Sequence, residues 1–282
     1  MRAQVQGSVV FVCAETGERP VARGARVWFR RFVESSGGML AGAPASGFQR
    51  SSSCDKAVAR KVLAKAGLAI AKGIYRDTAG EIDLKRIGSR LGYPVVVKQA
   101  RESGVGVGVH LAENEQRACE VVRWHQEQRR KGILFEQFVA GREFTVWILE
   151  QQGVPRIGGI IEFSKPGWNP LMDQGAKMRC RKVKRFTKGD RFWPEALVEP
   201  PMSGGERKAV ERAALAAHRV CGLRHYSRVD LILTPAGPVI LDVNANPELG
   251  GWLALCAQAR GSTMRAVLRG LLEEVVWSYG RT

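Results

Sequence analysis

The chain has 282 residues, above the size at which a single core usually stops growing, so one large or two fused α/β modules are the starting expectation. Hydrophobic residues at 45% and charged residues at 25% are ordinary globular usage, which excludes a disordered tail, a collagen or a coiled coil as the whole molecule. With 44 Lys and Arg against 27 Asp and Glu, the net charge is +17 and the surface field favours anions: nucleotides, nucleic acid, acidic lipid or acidic peptides.

Ser8 to Cys13 reads as a strand, followed by an Arg-rich stretch (Arg19, Arg23, Arg26, Arg30, Arg31). The small-residue run SSGGMLAGAPASGFQRSSS then reads as a linker and boundary. From Ser53 the pattern CDKAVARKVLAKAGL places Val58, Val62 and Leu63 on one helical face, with Ser53 as N-cap and Gly67 as the stop. Tyr93 to Lys98 is a β-branched strand closed by a lysine. It is followed by the glycine loop RESGVGVG and a helix from about Glu113 to Lys131. Ile133 to Val139, Glu143 to Leu149 and Val154 to Phe163 read as three more strands.

Lys165 to Pro201 is a basic irregular segment. Its Lys177 to Arg191 part holds eight Lys or Arg and one acid, Asp190, and is expected to be a long loop that closes over an anionic ligand. Ser203-Gly-Gly-Glu206 is a capping-box pattern that opens a helix ending at Gly222, with Val210, Ala213, Ala214, Ala217 and Val220 at helical spacing. Two strands, Arg228 to Leu233 and Pro238 to Asn244, flank Thr-Pro-Ala-Gly, and a last helix runs from about Thr263 to Trp277.

Six scattered cysteines without a CxxC pair exclude a zinc ribbon or a small disulfide framework, and are expected to be reduced in a cytoplasmic protein. No run approaches the roughly 18 apolar residues of a membrane span, so no membrane partner is expected.

The stretch SRVDLILTPAGPVILDVNANPEL carries the most chemistry. A hairpin closing symmetrically about Ala236 would set Asp230 opposite Asp242 and Arg228 opposite Asn244. Asp242 and Asn244, two apart, share a strand face with Asp230, and the three offer the hard oxygen donors that Mg²⁺ prefers. Two buried neighbouring carboxylates are costly without a cation; the alternative is a solvated hairpin face. Arg228 beside them could neutralise a carboxylate or grip a phosphate. Lys56 lies at a helix start, and Lys98, closing a strand ahead of a glycine loop, is placed to meet phosphate. Gly104, Gly106 and Gly108 fit neither a Walker motif nor GxGxxG. Glu136, Gln137, Phe138 and Val139 could pair through their backbone with an adenine edge and Glu143 could take ribose hydroxyls; as structure alone, both are ordinary strand residues.

PVVVKQARESGVGVG, ILFEQFVAGREFTVWIL, DQGAK, SRVDLIL and ILDVNANPEL, in that order, resemble the ATP-grasp superfamily and most closely its D-alanine–D-alanine ligases. The resemblance implies an α/β (α+β) ATP-grasp fold with two subdomains clasping ATP: residues 1–50 a shortened N-terminal α/β segment, 51–140 the central subdomain and 141–282 the C-terminal one. It implies Lys56 and Lys98 on the nucleotide phosphates, Glu136 to Val139 on the adenine and Glu143 on the ribose. Lys177 would reach the γ-phosphate from the basic loop and Arg228 would stabilise the reacting centre. Asp230, Asp242 and Asn244 would hold two Mg²⁺ ions, with Mn²⁺ as a substitute.

The activity it implies joins a carboxylate to an amine through an acyl phosphate. The partners are then ATP and amino-acid or peptide substrates, with a homodimer as an open arrangement. After NANPEL the family has a glycine and a serine that contact the second substrate, whereas this chain reads Glu248, Gly250, Gly251, Trp252. With the basic loop, this points to another, acidic amino acid or peptide as an alternative substrate. The alternative of another class is a basic nucleic-acid-binding protein on the same scaffold. Against it, no RRM, zinc-finger or helix-turn-helix signature is present.

Overall fold

A computed structural model describes residues 5–12, 23–78, 80–101, 108–129, 132–163, 191–193 and 196–281. Strand β1 (Val9–Phe11), helix α1 (Arg23–Ser35), strand β2 (Met39–Ala41) and helix α2 (Ala45–Arg50) come first, with β1 and β2 paired in parallel. The small-residue run read as a linker is therefore ordered: it supplies β2 and α2, and Leu40, Ala43, Ala45 and Phe48 are buried. Small side chains here serve close packing. A Cβ on Gly47 would overlap the Gly222 carbonyl, which the sequence pattern does not reveal.

Helix α3 (Lys56–Lys65) begins two residues later than its N-cap was read. Asp55, not Ser53, caps it, accepting from the N–H groups of Ala57 and Val58, while the Ser53 hydroxyl accepts from Ala245 N–H. Val58 faces outward, and the buried face is Lys56, Ala59 and Leu63. Strand β3 (Gly73–Arg76), helix α4 (Leu84–Leu91), strands β4 (Val95–Gln99) and β5 (Val109–Ala112), helix α5 (Glu115–Glu127) and strand β6 (Ile133–Gln137) follow. The four strands form one antiparallel sheet in the order β3-β6-β4-β5. Its apolar face, with Val95, Val97, Ile133 and Phe135, packs on Ile87 and Leu91 of α4 and Ala118, Val121 and Val122 of α5.

Strands β7 (Arg142–Gln151), β8 (Val154–Phe163), β9 (Arg191–Trp193) and β10 (Ala196–Val198), helix α6 (Gly204–Val220), strands β11 (Tyr226–Thr234) and β12 (Gly237–Asn244) and helices α7 (Gly251–Ala259) and α8 (Met264–Tyr279) complete the chain. Their six strands form a second antiparallel sheet in the order β12-β11-β7-β8-β10-β9. The segment read as irregular thus contributes β9 and β10 at one edge. The capping box at Ser203 and Glu206 forms as its spacing predicts, contributing about 1 kcal/mol to the start of α6. Val210, Ala214 and Ala217 of α6 then bury against Val146, Val229 and Val243. Each fully buried valine there contributes about 2 kcal/mol. On the other face Trp147, Ile161 and Phe163 pack on Leu253 and Cys256 of α7.

Among the described residues no helix is long and apolar enough to cross a membrane.

Candidate active site

The β11–β12 hairpin sets Arg228 opposite Asn244 and Asp230 opposite Asp242. Val229, Leu231 and Val243, on the alternate face, are completely buried in the core over α6. The polar face is not a solvated one, since Asp230 is only 8% exposed. Arg228 holds Asp230 with two hydrogen bonds, from Nε to Oδ1 and from Nη2 to Oδ2, both 3.0 Å. Asn244 donates to Oδ2 at 3.1 Å and the Thr145 hydroxyl, across from Asp230 on β7, donates to Oδ1 at 2.8 Å. Burial lowers the affinity of Arg228 for its proton, but Asp230 at bidentate distance outweighs it and the guanidinium is held above its ordinary pKa.

The second carboxylate faces the other sheet. Lys56, at the first turn of α3, donates to both oxygens of Asp242 at 2.6 Å. Its neighbour Lys98, at the end of β4, lies 2.5 Å from Oε2 of Glu136, whose other oxygen accepts from Arg60. Lys56 and Lys98 are brought together because Lys56 N–H donates to the Ala100 carbonyl at 2.9 Å, joining the start of α3 to the end of β4. The lysines diverge in basicity. Burial pulls Lys56 below the ordinary lysine pKa despite Asp242, whereas at Lys98 the same burial is outweighed by Glu136 and Asp242, which raise it. Four cations (Lys56, Arg60, Lys98, Arg228) and three carboxylates (Glu136, Asp230, Asp242) therefore share one cluster drawn from α3, the smaller sheet and the hairpin.

Glu143 lies on β7 two residues before Thr145, hence on the sheet face that carries Asp230 and Asp242. Gln137 N–H is taken up by the Lys72 carbonyl at 2.8 Å and Phe138 N–H by the Pro94 carbonyl at 3.2 Å. Val139 is the next residue along and is half-buried. Lys177, the basic loop up to Asp190, and Gly104 and Gly106 lie outside the described residues.

Two members of the cluster escape a motif reading. Arg60 stands four residues after Lys56, on the same side of the helix, so helical spacing alone was a usable signal. Thr145 is recognisable only from the β7–β11 register.

Asp230, Asp242 and Asn244 fit a divalent cation in donor chemistry: two carboxylates and an amide oxygen on one face, with Asp242 24% exposed. In the structure the charge of each carboxylate is met from within, Asp242 by Lys56 and Asp230 by Arg228. Among the described residues no group of three or more His, Cys, Asp or Glu comes together as a metal site.

Two antiparallel sheets with a lysine-bearing helix between them and a carboxylate hairpin on the larger sheet make this an ATP-grasp fold. Residues 62–273 match the D-ala D-ala ligase C-terminus family model, and the chain belongs to that family. It is 31% identical over 201 residues to the D-alanine–D-alanine ligase of Desulforudis audaxviator, a stretch covering 69% of this chain and 59% of that one. It is 33% identical over 199 residues to that of Halalkalibacterium halodurans, again covering 69% and 59%. The chain thus spans about 59% of the length of these relatives.

Among solved structures it resembles the D-alanine–D-alanine ligase of Bacillus anthracis complexed with ATP, with a TM-score of 0.71 at 19% identity over 97% of this chain and 80% of that one. The VanG D-Ala:D-Ser ligase of Enterococcus faecalis gives 0.71 and 19% over 95% and 72%.

Proposed function

We propose that the protein is an ATP-dependent carboxylate–amine ligase. The observation that carries this reading is the single cluster in which Lys56 pairs with Asp242 of the hairpin, beside the Arg228–Asp230 pair, while Lys98 next to it pairs with Glu136 of the smaller sheet. That juxtaposition suits a triphosphate lying between the sheets. Residues 51–140 would be the central subdomain and 141–282 the C-terminal one, with 1–50 a shortened N-terminal segment. Lys56 would exchange Asp242 for phosphate oxygens, and Lys98 would reach phosphate beside Glu136. Because the N–H groups of Gln137 and Phe138 are already engaged, the adenine edge would meet the backbone beyond them at Val139, with Glu136 behind it, and Glu143 would take the ribose. Lys177 would approach the γ-phosphate.

In the reaction a substrate carboxylate oxygen bonds to the γ-phosphorus while the bond to the β,γ-bridging oxygen breaks, releasing ADP and leaving an acyl phosphate. The amine then bonds to the acyl carbon, the carbon–oxygen bond to phosphate breaks, and inorganic phosphate leaves with the amide formed. Arg228, fixed by two bonds to Asp230, presents a charge that needs no reorganisation as negative charge develops. Mg²⁺, two ions or Mn²⁺ in their place, would be held by Asp230, Asp242 and Asn244 and supply neutralisation of the transferred phosphoryl oxygens. The side chains hold and orient; they are asked for no covalent chemistry.

Cytoplasmic location with reduced thiols and a homodimer are parts of the same proposal. The matched relatives favour neither the nucleic-acid alternative nor another, acidic amino acid or peptide over D-alanine. The test is a phosphate-release screen with ATP and Mg²⁺ over single and paired D- and L-amino acids and short acidic peptides, with mass spectrometry of the product. Amide product in step with phosphate supports the reading, and the absence of release with every pool removes it.

A further inference from the structure

The Glu136 carboxylate is almost completely buried, its side chain 4% exposed, and it has a cation on each side. Lys98 Nζ stands 2.5 Å from one oxygen. Arg60 donates through Nη1 to the other and through Nη2 to the Ala71 carbonyl, the residue leading into β3. A guanidinium is a planar, rigid fork, so two acceptors fixed on it fix its plane and with it the orientation of the carboxylate. Strand β3 is shaped to admit it. Gly73 is the residue paired with Glu136, and a Cβ there would lie 2.7 Å from Nη2 and 2.9 Å from Cζ of Arg60. Any side chain at that register position would take the space the guanidinium occupies.

A carboxylate buried this deeply must be compensated by neighbouring charge. With Arg60 present, Glu136 has a permanent cation, and Lys98 is its second one. With Arg60 absent, Lys98 would be its one ion-paired cation among the described residues, and a phosphate could recruit Lys98 only by leaving Glu136 without an ion pair in the interior.

We propose that Arg60 is a positioning residue for nucleotide binding: it holds Glu136 so that Lys98 can be shared with an incoming phosphate, and Gly73 is the backbone gap that admits it. The inference rests on the ligase reading above, in which Lys98 meets phosphate. Its content is the coupling of Arg60 to Lys98, which neither the motif nor the family match names.

The experiment is calorimetric titration of the whole chain with a non-hydrolysable ATP analogue and excess Mg²⁺, with thermal unfolding of each variant. Arg60→Ala is expected to weaken binding about tenfold or more. Arg60→Lys, which keeps the charge and loses the fork, should recover part of it, and Gly73→Ala should weaken binding with all charges retained. In the double-mutant cycle, Arg60→Ala on a Lys98→Ala background should cost less than half as much, in logarithmic units, as on the wild type. If Arg60→Ala does not fold, Arg60→Lys and Gly73→Ala carry the test alone. Both binding as tightly as wild type would overturn the proposal, as would additive losses in the cycle. A wild-type chain that binds no analogue overturns the ligase reading and this inference together, whereas tight wild-type binding with unaltered Arg60 variants overturns this inference alone.

Discussion

Asp242 faces Asp230 across the hairpin only because the strand carries a bulge at Leu241. The turn has two residues, Pro235 and Ala236, with Thr234 paired to Gly237, Ile232 to Val239 and Leu231 to Ile240. Continued unbroken, that register would set Leu241 opposite Asp230 and turn Asp242 towards the core beside Val229. The extra residue shifts the pairing by one between Asp230 and Leu231, returning Asp242 and Asn244 to the site face.

Removing that carboxylate tests the site's chemistry. Asp242→Ala or Asn244→Ala should lower turnover at saturating Mg²⁺ by a hundredfold or more, since lost neutralisation of the transferred group amounts to several kcal/mol. Steady-state kinetics with circular dichroism as a fold control makes the comparison. Near wild-type turnover in either variant removes the hairpin from the reaction.

Lys98→Ala separates binding from chemistry. A cation at the phosphates stabilises bound nucleotide and transition state together, so KM for ATP should rise with any fall in kcat. An unchanged affinity for nucleotide in direct calorimetry would contradict that role. The same substitution should leave Glu136 with Arg60 as its remaining ion-paired cation, so a modest loss of thermal stability accompanies it.

Much of this site was legible as sequence, and partly for a reason that the structure corrects. The assumed symmetric closure about Ala236 predicts the Asp230–Asp242 and Arg228–Asn244 pairs that are found. It does so because two departures cancel: a shorter turn and a bulge. The capping box at Ser203 and Glu206 needed only local spacing. What spacing could not show was tertiary. Asp55 displaces Ser53 as cap because Ser53 is used by Ala245 N–H, and β2 and α2 form in a run of glycine and serine because Leu40 and Phe48 have a core to enter. Arg60 was visible as a helical neighbour of Lys56, but its link to Glu136 depends on the gap at Gly73 in a strand that periodicity did not reveal.

A prediction on stability follows from His225, which is completely buried. Its Nδ1 accepts from Gly42 N–H at 2.9 Å and its Nε2 lies 2.9 Å from Ser278 Oγ, which itself donates to the Val275 carbonyl. The ring thus joins the N-terminal segment to α8 in its neutral form. Burial and the nearby Arg224 push its pKa down to about 4 from the ordinary 6.5. The unfolded chain takes up the proton first as pH falls, so the contribution is whole above 6.5 and is lost on the way down to 4. Between pH 8 and pH 5 the loss should be on the order of 2 kcal/mol. Urea unfolding at the two pH values reads it, and His225→Asn, whose side chain can accept from Gly42 and tolerates the positive φ of 63° there, should flatten the difference. An equal slope in the variant assigns the pH dependence elsewhere.

Gly159 marks how closely α7 lies on β8. A Cβ at that position would overlap Cβ and Sγ of Cys256, on the helix that follows the NANPEL loop. Gly159→Ala should therefore cost about 1–3 kcal/mol by overpacking. A melting temperature within a degree of wild type would show that α7 can shift freely.

The central claim, that a carboxylate is activated by phosphoryl transfer between the two sheets, is tested most directly by oxygen transfer. An acid substrate that supports phosphate release is labelled with ¹⁸O in its carboxylate and turned over with ATP, Mg²⁺ and an amine substrate, and the released phosphate is analysed by mass spectrometry. The account predicts one labelled oxygen in each phosphate formed with amide, because the carboxylate oxygen that attacks the γ-phosphorus leaves with it. Phosphate without label, or release that proceeds equally without the acid, would contradict it.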